Sequence, residues 1–216
     1  TIRVGFAFLS ICAFWQLYDN VVPLVLKNTF HMPDGPMGII MALDNILALF
    51  LLPFFGALSD KTSTRFGRRT PFIVGGTIGA VVLMNLLPIA DGMKNFTLFI
   101  SALALLLIAM GTYRSPAVAL MPDVTPKPLR SKGNAIINLM GALGGMFTLV
   151  MTKFLVSKRA DGSDDYLMLF ISVAVLMVAA VVVLLLTVRE NKLAQETAAV
   201  NDAYDAQNAQ ALSETE

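Results

Sequence analysis

Six stretches of about 20 mostly apolar residues, separated by short polar or proline-rich breaks, run through the chain from its start to about residue 188. They lie at 4–26, 36–58, 71–90, 96–121, 133–156 and 166–188. Segments of that length and polarity match the thickness of a bilayer's hydrocarbon. A backbone surrounded by lipid must satisfy its own N–H and C=O groups, and an α-helix does so within one segment. Composition agrees: only 14% of the 216 residues are charged and 56% are hydrophobic, with a mean hydropathy of +0.70, against about 25% charged in soluble domains. The expectation is an all-α integral membrane bundle of six transmembrane helices over residues 1–188. Residues 189–216 are polar and rich in alanine and glutamine, too poor in large apolar groups for a core of their own. They read as a polar linker, tail or surface helix.

Charge placement sets the orientation. Alternate breaks put Arg3, Lys61, Arg65, Arg68, Arg69, Lys127, Arg130, Lys132, Arg189 and Lys192 on one side. The other side holds Lys27, Lys94, Lys153, Lys158 and Arg159, offset by Asp34, Asp91, Asp161, Asp164 and Asp165. Basic residues in short loops resist translocation, so both ends are expected in the cytoplasm of a multi-pass protein of the cell membrane. A net charge of +1 gives no reason to expect a nucleic acid partner. Cys12 is the lone cysteine and His31 the lone histidine. No metal-ligand spacing, nucleophile–base set or phosphate-binding glycine loop accompanies them, so neither a metal, a cofactor nor an enzymatic activity is expected.

Charged groups inside a span cost about 2.5–3.5 kcal/mol each on insertion scales, so each asks for a partner or a water-filled cavity. Asp19, Asp44 and Arg114 are the three that qualify. Trp15, Gln16 and Asp19 fall on neighbouring parts of one helical face, with Tyr18 beside them. An aromatic ring with amide and carboxylate groups suits a sugar, whose C–H faces and hydroxyls need both. Asn45 adjoins Asp44, and Tyr113 adjoins Arg114. Arg114 would compensate one aspartate while the other gains and loses a proton, although a helical rise of 1.5 Å per residue puts Arg114 about 10 Å nearer the basic end. A structural ion pair, or side chains reaching the interface, would equally account for these charges. Gly75 with Gly79, and Gly141 with Gly145, form small-xxx-small pairs suited to close helix approach.

Between spans two and three the chain reads Gly56, Ala57, Leu58, Ser59, Asp60, Lys61, Thr62, Ser63, Thr64, Arg65, Phe66, Gly67, Arg68, Arg69, Thr70, Pro71. This resembles the signature loop of the major facilitator superfamily. Its longer spacing between the aspartate and Gly-Arg-Arg is similar to that of sucrose:proton symporters and the related glycoside-pentoside-hexuronide:cation symporters. A second resemblance runs from Tyr113 and Arg114 through Pro116, Pro122 and Asp123 to Arg130, Lys132 and Asn134. The resemblance implies a cytoplasmic gate built from Gly56, Asp60, Lys61, Arg65, Gly67, Arg68, Arg69, Asp123 and Arg130, which governs conformation rather than touching solute. The bland alternative is that these arginines only obey the rule for basic loops.

The resemblance further implies the amino-terminal half of a twelve-helix secondary transporter. Its solute would be a small molecule of the sugar class, and its partners the bilayer and a second six-helix half. Sodium-coupled melibiose symporters carry further carboxylates in span two near the signature loop, whereas Leu47–Phe55 contains none. The coupling ion implied is a proton. A carrier of drugs or amino acids, or a non-transporting membrane scaffold fragment, is the alternative.

Overall fold

The computed structural model describes residues 2–160 and 162–213, with side chains through residue 210. Asp161, counted above among the loop acids, and the last residues of the polar tail lie outside the described residues. The chain forms α1 (Ile2–Asn28), α2 (Asp34–Lys61), α3 (Thr70–Gly92), α4 (Phe96–Asp123), a 3-10 turn at Lys127–Leu129, α5 (Arg130–Leu155), α6 (Leu167–Thr187) and α7 (Glu190–Ser213). Six of these helices, α1 to α6, are long and apolar enough to cross a membrane. They overrun the spans read from the sequence by several residues at most ends, because polar first and last turns continue the helix beyond the hydrocarbon. Asn95 illustrates the local control: its side chain accepts from the Leu98 amide and starts α4. Between α5 and α6, where only a break was expected, a two-residue antiparallel pair forms from β1 (Ser157–Lys158) and β2 (Asp164–Asp165).

α1 is the organising helix. It packs chiefly on α5 and α6, while α3 packs on α4 and α6, and α2 joins through α4. The core is therefore walled by α1, α3, α4 and α6, with Phe14, Leu17, Met84, Leu106, Met110 and Leu169 at or near zero exposure. By contrast α2 buries only Ser59, and Ile46, Leu49, Phe50 and Phe54 stand exposed along it. In α5 the buried stripe is Gly133, Ile137, Gly141, Gly144 and Thr148. Leu139, Met146 and Phe154 of α5 face outward. Apolar faces of this length belong in hydrocarbon or against further helices.

The α1–α5 contact depends on missing side chains. A Cβ on Gly144 would lie 2.0 Å from the Leu9 carbonyl oxygen, so only glycine permits this approach. The freed space lets Thr148 Oγ1 reach across to the Ala13 carbonyl at 2.9 Å. Gly141 faces Cys12 as the sequence pair suggests, but Gly145 makes only ordinary contact and Gly144 takes the tight position. On α3 the closest approach likewise belongs to Gly76, against the Tyr113 backbone, not to Gly75 or Gly79. Helix rotation, which a spacing rule does not supply, selects the glycine that meets the neighbour.

Candidate functional site

The two sets of loops collect at opposite ends of the bundle, as the charge alternation requires. Between those ends, α1, α2 and α4 bring together most of the intramembrane polar residues. Trp15, Asp44 and Arg114 line one small cavity of about 10 Å³ with Leu47, Leu51 and Gly111, at the lower limit for one water molecule. Arg114 places its guanidinium 5.3 Å from the Trp15 ring centroid, within cation–π range. The long arginine stem spans the depth difference that helical rise predicts. Among the described residues no ion pair joins Arg114 to Asp19 or Asp44, so the expected direct compensation is replaced by contact with the ring. Asp44 is near enough for its charge to act on both Asp19 and Tyr18. Asn45 donates to the Asp44 carboxylate at 3.0 Å.

An aromatic ladder supports this face. Trp15 meets Phe14 and Tyr18 edge-on, with centroids 5.2 and 5.4 Å away, a geometry favoured by ring quadrupoles. The buried Trp15 Nε1 and Tyr18 hydroxyl have no protein hydrogen-bond partner among the described residues. Gln16 and Asp19 lie on the same helix, Asp19 exposed and Gln16 half-buried. Tyr113, expected with Arg114 at the solute, is used differently. It is fully buried, and its hydroxyl bonds Ser10 Oγ and the Ala7 carbonyl, which ties α4 to α1. One residue of helical offset, about 100°, turns Tyr113 toward α1 while Arg114 faces the cavity.

At the basic end the motif residues form a connected network. Arg69, only 5% exposed, is its hub. Its Nε donates to Asp123 Oδ2 at 3.0 Å, one terminal nitrogen to Ser59 Oγ at 2.5 Å, and the other pairs with Asp60 at 2.5 Å. Arg68 adds a contact to Asp123 at 3.2 Å. Gly56 contributes its carbonyl, which accepts from Ser59 and from Arg69 at 3.4 Å. Charge-assisted bonds of this kind gain from the forked guanidinium and from burial. Arg130 stands apart from the carboxylates: it donates to the Thr125 and Pro122 carbonyls, closing the carboxyl end of α4. Lys61 and Arg65 have no ion-pair partner among the described residues.

Two members of this network were missed in the sequence. Ser59 lies inside the motif but has no charge to attract notice. Glu190, assigned to the polar tail, is 2% exposed and starts α7. Its carboxylate accepts from the Arg68 amide at 2.7 Å, the Arg69 amide at 2.9 Å, and the Thr70 amide and hydroxyl at 3.0 and 2.8 Å. These are the free amides at the start of α3, whose own N-cap makes no side-chain bond, so Glu190 caps α3 from 120 residues away. Gly67, at φ 128°, makes room, since a Cβ there would fall 2.1 Å from Glu190 Oε2. The available signal was position: Glu190 follows span six at the level of the arginine-rich loop.

The far end carries a second cluster that the loop reading also missed. Asp91, fully buried, accepts from Thr29 Oγ1 at 2.6 Å and pairs with Arg159 at 2.8 Å. Burial opposes the charged Arg159 guanidinium, but Asp91 and Asp165 outweigh it and raise its pKa above the ordinary value. The cluster joins the start of the α1–α2 loop, the end of α3 and the β1–β2 turn.

Comparison with known proteins agrees with this arrangement. The chain is 32% identical over 143 residues to "Proton-associated sugar transporter A" of Mus musculus, covering 61% of this chain and 19% of that protein. The human protein of the same name is 31% identical over 143 residues, with the same coverage. "Sucrose transport protein SUC3" of Arabidopsis thaliana is 29% identical over 120 residues, covering 47% of this chain and 20% of that protein. The matched region thus spans about a fifth of the length of these relatives. The sequence profile of the Major Facilitator Superfamily matches residues 4–211, and with six membrane-length helices and the Asp60–Arg69–Asp123 network in place, the chain belongs to that superfamily of transporters.

Proposed function

We propose that the chain is the amino-terminal half of a sugar:proton symporter that works by alternating access, with both ends cytoplasmic and in the cell membrane. The observation that carries the reading is one juxtaposition: Trp15, Asp44 and Arg114 around one cavity, with Asp19 and Tyr18 within reach of the Asp44 charge. Two carboxylates on neighbouring helices, with one ring-bound arginine beside them, supply groups on which a proton could be carried as the helices rearrange. The Trp15 and Tyr18 donors, buried without a protein partner in this arrangement, would meet the acceptor oxygens of a hydroxylated solute only once the helices part, and the indole face matches its C–H surface. The cavity itself is far too small for a sugar. A solute would therefore lie between this inner face and a second helical layer, with α2 and α5 carrying much of the contact. The names of the relatives support sugar as the solute class and a proton as the coupling ion.

The latch at the basic end fits the same cycle. A buried Arg69 shared by α2, α3 and α4 stabilises one arrangement of the helix ends, and separating them would break several charge-assisted bonds at once. The test is uptake of labelled disaccharide into proteoliposomes under an imposed proton gradient, with the chain alone and with a carboxy-terminal half. Gradient-driven uptake lost in Asp19→Asn or Asp44→Asn supports symport and identifies the coupling group. Uptake that ignores the gradient refutes proton coupling. Uptake of a different solute class refutes the sugar assignment, and no uptake in either preparation favours a scaffold.

A further inference from the structure

One sizeable cavity borders the basic-end network and shares Thr70 and Glu190 with it. It is a groove of about 840 Å³ where the first turn of α3 meets the last turn of α6, within the size range of ligand sites. Val74, Leu185 and Val188 form its walls, and Arg65, Arg189 and Lys192 stand at its polar mouth. Because α2 attaches through α4 and α5 through α1, the α3–α6 contact lies away from the open faces of α2 and α5. The groove therefore lies on the outer side of the α3–α6 pair.

From this geometry we infer that the groove binds one anionic phospholipid, with an acyl chain against α3 and α6 and the headgroup phosphate between Arg65, Arg189 and Lys192. Val74 and Leu185 lie within the apolar helices α3 and α6, Val188 caps α6, and Arg189, Lys192 and, from the loop before α3, Arg65 stand beyond the helix ends. That order, apolar below and basic above, matches a lipid's own. The cations are available. Among the described residues neither Arg65 nor Arg189 forms an ion pair, and Lys192 reaches Glu196 only at 3.8 Å with both side chains exposed. Glu190, the one acid lining the groove, spends its oxygens on the amides of Arg68 to Thr70. Its charge is therefore turned to the α3 terminus rather than to the mouth. Gly75 lines the groove, and a Cβ there would meet nothing within 4 Å, which leaves the width a methylene chain requires. Since Arg65 and Glu190 belong to the latch segment and the groove alike, an occupied groove would tie the latch to the lipid leaflet.

The experiment is native mass spectrometry of the full chain in detergent with equimolar dioleoyl phosphatidylglycerol and dioleoyl phosphatidylcholine. Phosphatidylglycerol should be retained preferentially. Arg189→Gln should lower that preference about five-fold, as expected for one cation near a phosphate, while Lys132→Gln, an exposed cation at the same end but outside the groove, leaves it unchanged. Gly75→Leu should lower retention while keeping every cation in place. Equal retention of the two lipids, or an equal loss in Arg189→Gln and Lys132→Gln, overturns the proposal. Undiminished retention in Gly75→Leu, at an unchanged melting temperature, places the lipid outside the groove and overturns it as well.

Discussion

Replacing Glu190 with glutamine isolates what its carboxylate does for the α2–α3 loop. The carboxylate accepts from three consecutive amides and one hydroxyl across its two oxygens. Glutamine keeps one acceptor oxygen and turns an NH₂ toward the remaining donors, so the Thr70 amide loses its partner and the charge at the α3 amino terminus is gone. One charge-assisted bond to a buried group is worth about 1.5–3 kcal/mol, and the bonds that remain weaken to neutral ones, for a total of about 2–4 kcal/mol. At 1.36 kcal/mol per decade, opening of the loop should become between about 30-fold and several hundred-fold more frequent. Hydrogen exchange of the chain in lipid nanodiscs reads this directly at the amides of residues 67–70. The β1–β2 pair at the opposite end serves as an internal control and should not change. Exchange at residues 67–70 within about 3-fold of the unaltered protein would refute the reasoning, since the carboxylate would then not order the loop.

Three further outcomes follow from the same contacts. Combining Arg69→Gln with Asp123→Asn should give a coupling of about 1–2 kcal/mol in a double-mutant cycle of thermal stability, whereas Arg130→Gln with Asp123→Asn should be additive within about 0.5 kcal/mol. Gly144→Ala should destabilise by at least 1–3 kcal/mol, on the order of an overpacked core, because the new methyl meets the Leu9 backbone. Gly145→Ala, one position on, meets only Gln16 Oε1 at 3.5 Å and should melt nearly as the parent does. Asp91→Asn should cost about 1–3 kcal/mol, less than a fully buried pair because Arg159 is 20% exposed, with the loss appearing as a lower melting temperature in detergent.

Much of the fold was legible without coordinates. Six apolar runs, the side-to-side alternation of cations, and the requirement that lipid-embedded backbone bond to itself lead to an all-α membrane bundle by local rules alone. The rarity of charge in hydrocarbon singled out Asp19, Asp44 and Arg114 in the same way. The ordered Gly56, Asp60 and Gly67-Arg68-Arg69 pattern marked the region where the Arg69 network forms.

What escaped the sequence depends on rotation and on distance along the chain. Tyr113 and Arg114 are neighbours with different work, because adjacent positions on a helix point about 100° apart and only packing decides which one meets α1. Gly144 rather than Gly145 takes the tight contact for the same reason. Glu190 is separated from Arg69 by 121 positions, and Arg159 from Asp91 by 68, so no local spacing reveals either pair. Arg114 lies over Trp15 instead of pairing with an aspartate because a flexible cation settles where several helices jointly leave room. Sequence determined which segments enter the membrane and which groups pay for being there; tertiary structure decided which of those groups meet, since contact between helices is a property of their mutual rotation and depth.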